Sequence, residues 1–374
     1  MDRRDFLRTT AIAGMATGAA QWGSSCTQVP VPPAYNGKRL VLVKLAGGND
    51  GLFAFFPREH DTIDAARPNL GAMSRQNAIP VYGEWYLNSQ FRTLETLLGR
   101  GEMAILPFVG YPSPNTSHFK SSEIWDTGFI PGENAARSGW IGRLLDSGVL
   151  SVPGNETPAV SLAEADTIVI RGLQKQGLYW RGNEPLEWYA GDIRHWLRHH
   201  RHNQLSEQVF REYSLIQWLS DVRACSGFPS TILGEQLARI ATMVQTDKPF
   251  KVFYAMQGGY DTHKSAGGKL LNLYADLNAA LFSLSQSLKA SGHWKDTIVL
   301  VYSEFGRTID ENANGGTDHG AAGLCLLLGD NPVVKKYANI SPEIQFIEMA
   351  GERYLGHQLD FRDLYDAMIR GWLA

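Results

Sequence analysis

The stretch "NGGTDHGAAG", Asn314 to Gly323, sets an Asp and a His side by side, Asp318 and His319, among glycines. A carboxylate and an imidazole are metal-ligand types, but Asp and Gly also suit tight turns for backbone reasons alone. The choice depends on what other segments bring to the same place. "GGNDG" carries Asn49 and Asp50, and "YPSPNTSHF" carries Thr116, Ser117 and His118. "GGYDTH" carries Asp261 and His263, and "SEFGR" carries Ser303, Glu304 and Arg307. Carboxylate oxygens and imidazole nitrogens are the ligand menu for Zn, Mn, Fe, Mg or Ca, depending on the mixture. No thiolate stands among them, which excludes a structural zinc of the finger type. A metal beside a Ser or Thr hydroxyl lowers its pKa and neutralises charge on a phosphoryl or sulfuryl group. Each segment also has a plainer reading. Asp50 suits a turn, Asp261 and His263 suit a helix cap, Glu304 suits pairing with Arg307, and Ser117 suits a helix start.

The elements that would position these groups follow from hydrophobic periodicity. "KRLVLVKLAGGNDG" predicts a buried strand over about 39–46, followed by a loop. "EMAILPFVG" predicts a second strand over about 103–109, and "PAVSLAEADTIVIRG" one or two more. "KVFYAMQGG", "DTIVLVYSEFG" and "GLCLLLG" read as further strands, the middle one apolar throughout, as in a sheet covered on both faces. The segment "LLNLYADLNAALFSLSQSLKASG" repeats Leu270, Leu273, Tyr274, Leu277, Leu281, Leu284 and Leu288 at three and four, which predicts a long amphipathic helix. The closing "LDFRDLYDAMIRGWLA" puts Phe361, Leu364, Tyr365, Met368, Ile369 and Trp372 on one stripe. Strands alternating with helices mean an α/β fold.

In open α/β sheets, ligands bind beyond the carboxyl ends of the strands, and that is where these polar segments fall. Asp318 and His319 instead precede a strand, joined to "SEFGR" by a loop with no helical signal. A strand entered directly from that edge must run back antiparallel, so its start lies at the same edge.

The remaining regions say less about chemistry. The net charge of −3 suggests no nucleic-acid partner. Three cysteines, Cys26, Cys225 and Cys325, argue against a disulfide framework. Residues 178–239 are rich in Trp, Arg and His and read as a helical cap-like insertion. Its Trp180, Trp188, Trp196 and Trp218 serve either core packing or the stacking of a sugar ring. Its "RHWLRHHRH" reads as a solvated helix face, an anion site or adventitious metal binding. The opening "MDRRDFLRTTAIAGMATGAA", with Arg3 and Arg4, reads as a twin-arginine export signal over 1–26, with a degraded lipoprotein box ending at Cys26. A Pro-rich linker, 27–38, leads into a single domain, 39–374. Any membrane contact is therefore expected only through the signal or a lipid anchor, with a periplasmic or cell-surface location.

Taken together, "LAGGNDGL", "NTSHFKS", "GGYDTH", "YSEFGRT", "NGGTDHG" and "LDFRDLY" resemble an exported bacterial family, domain of unknown function 1501, from about Arg39 to the C-terminus. The resemblance implies the alkaline phosphatase and sulfatase fold: a three-layer α/β/α sandwich with a mostly parallel central sheet. It also implies roles. Asp50 would hold a metal, and Ser117, or Thr116, would be the nucleophile at a helix start. Asp261 and His263, Glu304, and Asp318 with His319 would complete the ligands. Phe305 stands where that superfamily has a ligating His, which points to one metal, a harder metal or none. "YPSPNTSHFK" lacks the Cys and Arg of a formylglycine sulfatase signature.

The expected function is an exported hydrolase of phosphate or sulfate esters using a divalent metal, Zn, Mn, Ca or Mg. Its substrate would be a small-molecule or glycan ester. Asp50, Asp261, Glu304, Asp318 and His319 would bind metal, with His263 as a further ligand. Ser117 would attack, His118 or His263 would protonate the leaving group, and Arg307 would hold ester oxygens. An alternative is a non-catalytic binding or assembly protein on the same fold, handling surface polysaccharide. A metal-free esterase built on Ser117 and a His is a third reading, weakened because the chain has no G-x-S-x-G elbow.

Overall fold

The central strand, β1 (Arg39–Leu45), is buried along its whole length because it is covered on both faces and paired on both edges. Leu40 and Leu42 join a core cluster on one face of the sheet, and Val41 and Val43, pointing the other way, are equally inaccessible. The structure, a computed structural model, describes residues 37–130, 137–152, 157–165, 167–180, 224–246, 250–338, 340–349 and 351–373. These residues fall within one compact unit, Pro32–Arg181 with Ala224–Ala374.

Around β1 the sheet is built from β2 (Met103–Gly110), β3 (Ala159–Ser161), β4 (Leu178–Tyr179), β5 (Val252–Gln257) and β6 (Thr297–Tyr302). A short hairpin, β7 (Arg307–Glu311) and β8 (Thr317–His319), follows β6 outside the sheet. Then come β9 (Gly323–Leu328) and β10 (Leu359–Asp360). The order is β10-β2-β9-β6-β1-β5-β3-β4. All neighbouring pairs are parallel except those of β9, which runs antiparallel to both β2 and β6. The return strand expected from the missing helical signal is therefore present. It brings β8 and its Asp-His pair to the edge where β1, β2, β5 and β6 end.

One face carries α1 (His118–Thr127), α2 (Trp140–Asp146) and a C-terminal helix (Phe361–Met368). Trp125, Trp140, Phe361 and Tyr365 stack among themselves over Tyr302, with Trp125 and Phe361 centroids 4.4 Å apart. A helix over Ile232–Gln245 packs on β5 of the opposite face and against the 25-residue helix Ala266–Ala290. That long helix buries Leu270, Tyr274, Leu277, Leu281, Leu284 and Leu288, as its periodicity predicts. The result is a mixed α/β fold in three layers with a large, mostly parallel central sheet, as expected.

Both ends of the segment expected as a cap belong to this body. Leu178–Tyr179 is an edge strand, and Ile232–Arg239 opens the helix on β5. Trp180 is buried, with the Arg239 guanidinium 4.5 Å above its ring. Trp188, Trp196, Trp218 and the basic run 194–202 lie outside the described residues, as do residues 1–36 with the signal and Cys26. Among the described residues, no helix is long and apolar enough to cross a membrane. Cys325 is buried in β9, where burial pushes its thiol far up, and Cys225 bonds Thr242 and Gln245.

Candidate metal centre

Glycines let the loops at the carboxyl edge meet. Gly47 and Gly48, just past β1, both have positive φ, +118° and +79°. A Cβ on Gly47 would stand 2.3 Å from the Asp261 backbone nitrogen, and one on Gly48 the same distance from the Phe305 ring. No side chain fits at either place, so the β1 loop can lie directly on the loops after β5 and β6.

Arg307 ties those loops together. Its buried guanidinium donates to the carbonyls of Gly48 (2.8 Å), Thr317 (2.9 Å), Tyr260 (3.0 Å) and Gly47, and to Asp261 Oδ1 (2.7 Å). It was expected to hold ester oxygens. With its side chain inaccessible and committed to carbonyls, it is instead the brace that fixes Asp261. Burial pushes the Asp261 carboxyl up, but the Arg307 bond and charge, with the charges of His263 and His118, bring it down to about 2.

Three imidazoles surround this carboxylate. The Nε2 atoms of His263, His319 and His118 lie 2.9, 3.3 and 3.6 Å from Asp261 Oδ1. Each ring is held from behind at Nδ1. Glu304 Oε1 accepts from His118 at 2.9 Å, Asp318 Oδ1 from His263 at 2.6 Å, and the Thr116 carbonyl from His319 at 2.8 Å. A carboxylate or a carbonyl only accepts, so Nδ1 is the protonated nitrogen in all three. The Nε2 atoms then present lone pairs, and those of His263 and His319 are 3.0 Å apart. Facing lone pairs beside an ionised carboxylate repel unless a proton or a cation sits among them. The oxygen acceptor behind each ring is the arrangement that orients imidazoles toward a metal. The residues therefore fit a divalent cation. His118, Asp261 and His319 offer ligand atoms within 4.8 Å of one another, and together they form a possible metal-binding group.

Local structure explains why these rings point inward. Ser117 is the residue at the N-cap of α1 but makes no side-chain capping bond, so its exposed hydroxyl is not spent on the helix. Tyr111 Oη bonds Ser121 Oγ at 2.9 Å, and Ser121 donates to the Glu304 carbonyl, which pins the first turn of α1 beside the β6 loop. Glu304, almost inaccessible, also accepts from Gly47 N at 2.8 Å. Burial pushes Glu304 up, but the His118 bond and the Lys44 charge hold its carboxyl below the usual range. The same bond raises His118, whereas His319 is lowered, first by burial. Phe305 forms an apolar wall, its ring centroid 4.8 Å from that of His118 and 4.9 Å from that of His319.

Several expected roles change. Asp50 is not beside the imidazoles. It is fully buried, caps Phe53 N, and takes Arg67 Nη1 on both oxygens at 2.8 and 3.0 Å. Both of its oxygens face that guanidinium, and it is not among the atoms that converge with the imidazoles. Arg67 also donates to the carbonyls of Thr308 and Ile309, and nothing in "AARPNL" marked it in advance. Glu304 and Asp318 stand behind His118 and His263 rather than among the ligand atoms. His118, expected as an acid for the leaving group, offers an atom to the possible metal-binding group. His319 offers a ligand atom in that group, His263 lies beside it with its Nε2 3.0 Å from that of His319, and Thr116 contributes its carbonyl.

A search of curated proteins gives no match. Among solved structures, the C-terminal periplasmic domain of EcEptC from Escherichia coli is 9% identical over 89% of this chain and 98% of that one, with a TM-score of 0.43. A second structure of that domain is a complex with Zn, at 11% identity over 80% and 77% of the two chains and a TM-score of 0.42. Alkaline phosphatase from the Antarctic bacterium TAB5 is 11% identical over 81% and 94%, with a TM-score of 0.39. Likeness at this level assigns no activity. In sequence, residues 237–331, which hold Asp261, His263, Glu304, Arg307, Asp318 and His319, match the family model described as protein of unknown function (DUF1501).

Proposed function

We propose that this chain is an exported, metal-dependent hydrolase of phosphate or sulfate esters. One observation carries the reading: imidazole Nε2 atoms converge on the braced Asp261 carboxylate, each ring fixed at Nδ1 by an oxygen acceptor. His118, Asp261 and His319 would hold the cation, a set of three protein ligands that leaves room for a substrate oxygen. Bound there, Zn, Mn, Ca or Mg would supply positive charge against an anionic ester and lower the pKa of a neighbouring hydroxyl.

The chain's own groups supply the rest. Ser117 lies one residue before a ligand, at the N-terminus of a ten-residue helix whose unpaired N–H groups favour an anion. Its exposed hydroxyl is the nucleophile, with Thr116 the second candidate. His263, its Nδ1–H held by the Asp318 carboxylate, takes up a proton at Nε2 and passes it to the leaving alcohol. The twin arginines Arg3 and Arg4 support export, and with it a periplasmic or cell-surface location.

The full chain, expressed with its own first residues, should appear in the periplasmic fraction. Purified without chelator or nickel resin, or reloaded with Zn, Mn, Mg, Ca or Fe(II), it should hold about one equivalent of metal by elemental analysis, as one ligand group implies. Aryl phosphate or aryl sulfate turnover should stop on adding chelator. Ser117→Ala should lose turnover and keep its metal. No bound metal under any loading condition would end this reading.

A further inference from the structure

A cavity of about 330 Å³ opens beside His118 and is lined by Phe119, Ser122, Glu123, Asp126 and Ile168. His118 thus belongs to both the ligand group and the cavity wall. We propose that this cavity seats the alcohol part of the ester, and that this part is an uncharged sugar ring. The assignment to the alcohol rests on the hydrolase reading above; the ligand chemistry rests on the cavity itself.

Three observations point to a sugar. First, Phe119 is 89% exposed, the most exposed large hydrophobic side chain among the described residues. An aromatic ring in water beside a cavity, with Ile168 also in the lining, offers an apolar face to the C–H face of a pyranose. Second, the polar groups that face the cavity are the Ser122 hydroxyl and the exposed Glu123 carboxylate, which can exchange hydrogen bonds with ring hydroxyls. Third, each carboxylate has its own lysine. Glu123 pairs with Lys120 at 3.1 Å and Asp126 with Lys44. The lining is near neutral, so it has little net attraction for an ammonium group, while the carboxylates disfavour a second anionic group. A volume of this size lies at the low end for ligand pockets and suits one ring rather than a chain of them.

The test uses the full-length protein and neutral probes: methyl pyranosides of glucose, galactose, mannose, fucose and N-acetylglucosamine. Saturation-transfer NMR on metal-free protein should show transfer to the ring protons of at least one of them. The signal should fall at least fivefold in Phe119→Ala and fall also in Glu123→Gln. Phe119 is so exposed that its truncation leaves the fold intact, which circular dichroism checks, and Zn²⁺ content after loading should match the unaltered chain. No transfer from any probe, or transfer that survives Phe119→Ala, overturns the sugar subsite. Because the readout needs neither metal nor turnover, its failure is separate from that of the hydrolase reading, which elemental analysis decides.

Discussion

Glu304→Gln isolates what a carboxylate behind His118 does for the metal centre. The substitution is close to isosteric, and the structure accommodates it. Both Gly47 N and His118 Nδ1 donate to Oε1, at 2.8 and 2.9 Å, and an amide oxygen in that place accepts both. The amide NH₂ then replaces Oε2, 3.2 Å from Ser303 Oγ. Ser303 already spends its proton on the Leu45 carbonyl at 2.6 Å and accepts from Asn49 N at 3.0 Å, which leaves one lone pair to accept from the amide. Geometry is kept and only the negative charge is lost. The side chain is 3% exposed, so water does little to screen that charge. A charge-assisted bond is roughly twice as strong as a neutral one, and loss of such an oxygen partner behind a ligating imidazole typically weakens metal affinity by about 10–100-fold. That corresponds to about 1.4–2.7 kcal/mol. Competition titration of Zn²⁺ against a chromophoric chelator at about pH 8 measures it. The Glu304 bond is also the main reason the His118 pKa is raised. The variant should therefore bind fewer competing protons, and the affinity gap should narrow on acidification to about pH 5.5. Equal affinity at the higher pH, or a gap that widens in acid, would refute the role given to Glu304.

Two other outcomes follow from the same geometry. Asp50→Ala removes the only carboxylate hydrogen-bonded to the buried Arg67 guanidinium among the described residues and should cost about 3–5 kcal/mol in urea unfolding. The folded fraction should nevertheless load Zn²⁺ like the unaltered chain, and loss of metal would restore Asp50 as a ligand. In the metal-free protein the two ligand histidines act with opposite sign. The raised pKa of His118 contributes stability below about pH 6.5 that is lost as pH rises through its folded value. The lowered pKa of His319 costs stability as pH falls below the same reference. Asp261 contributes stability above about pH 3.9 that is lost as pH falls toward its folded value of about 2. Side-chain NMR titration should place His118 above His319, with neither titrating normally once Zn²⁺ is bound. The reverse order would contradict the hydrogen bonds at their Nδ1 atoms.

Much of the sheet edge was legible in the sequence, for a physical reason. Apolar runs of strand length end in Gly, Asn and Asp, and the carboxyl edge of a parallel sheet is where such loops collect. Even the reversed strand β9 could be inferred, because no helix separates "SEFGR" from "TDHG" and only an antiparallel return then fits. Pairing inside the site was not legible. Asp50 and Asp261 look alike in sequence, each in a Gly-rich loop after a strand, yet one meets Arg67 and the other three imidazoles. Arg67 lies between two short helices, Asp61–Ala66 and Pro68–Ser74, and no periodicity connects it to residue 50. The sequence likewise could not separate groups that converge on Asp261 from groups that hold them in place. Glu304 and Asp318 have the right chemistry for ligands, and only the distances to Nδ1 place them behind the rings.

The position of β1 has a consequence for how the chain folds. Its sheet partners begin more than two hundred residues downstream, since Leu40 lies beside Val252 and Arg39 beside Thr297. The first of these sheet strands to be made thus lies in the middle of the sheet, and β2, β3 and β4 are all made before either of its partners. Such non-local pairing makes for slow folding and a long interval in which "RLVLVKL" is an apolar strand with open edges. The edge that gathers His118, Asp261 and His319 is assembled from the segments after β2, β5 and β6, so it forms only once β1 has met both of its partners.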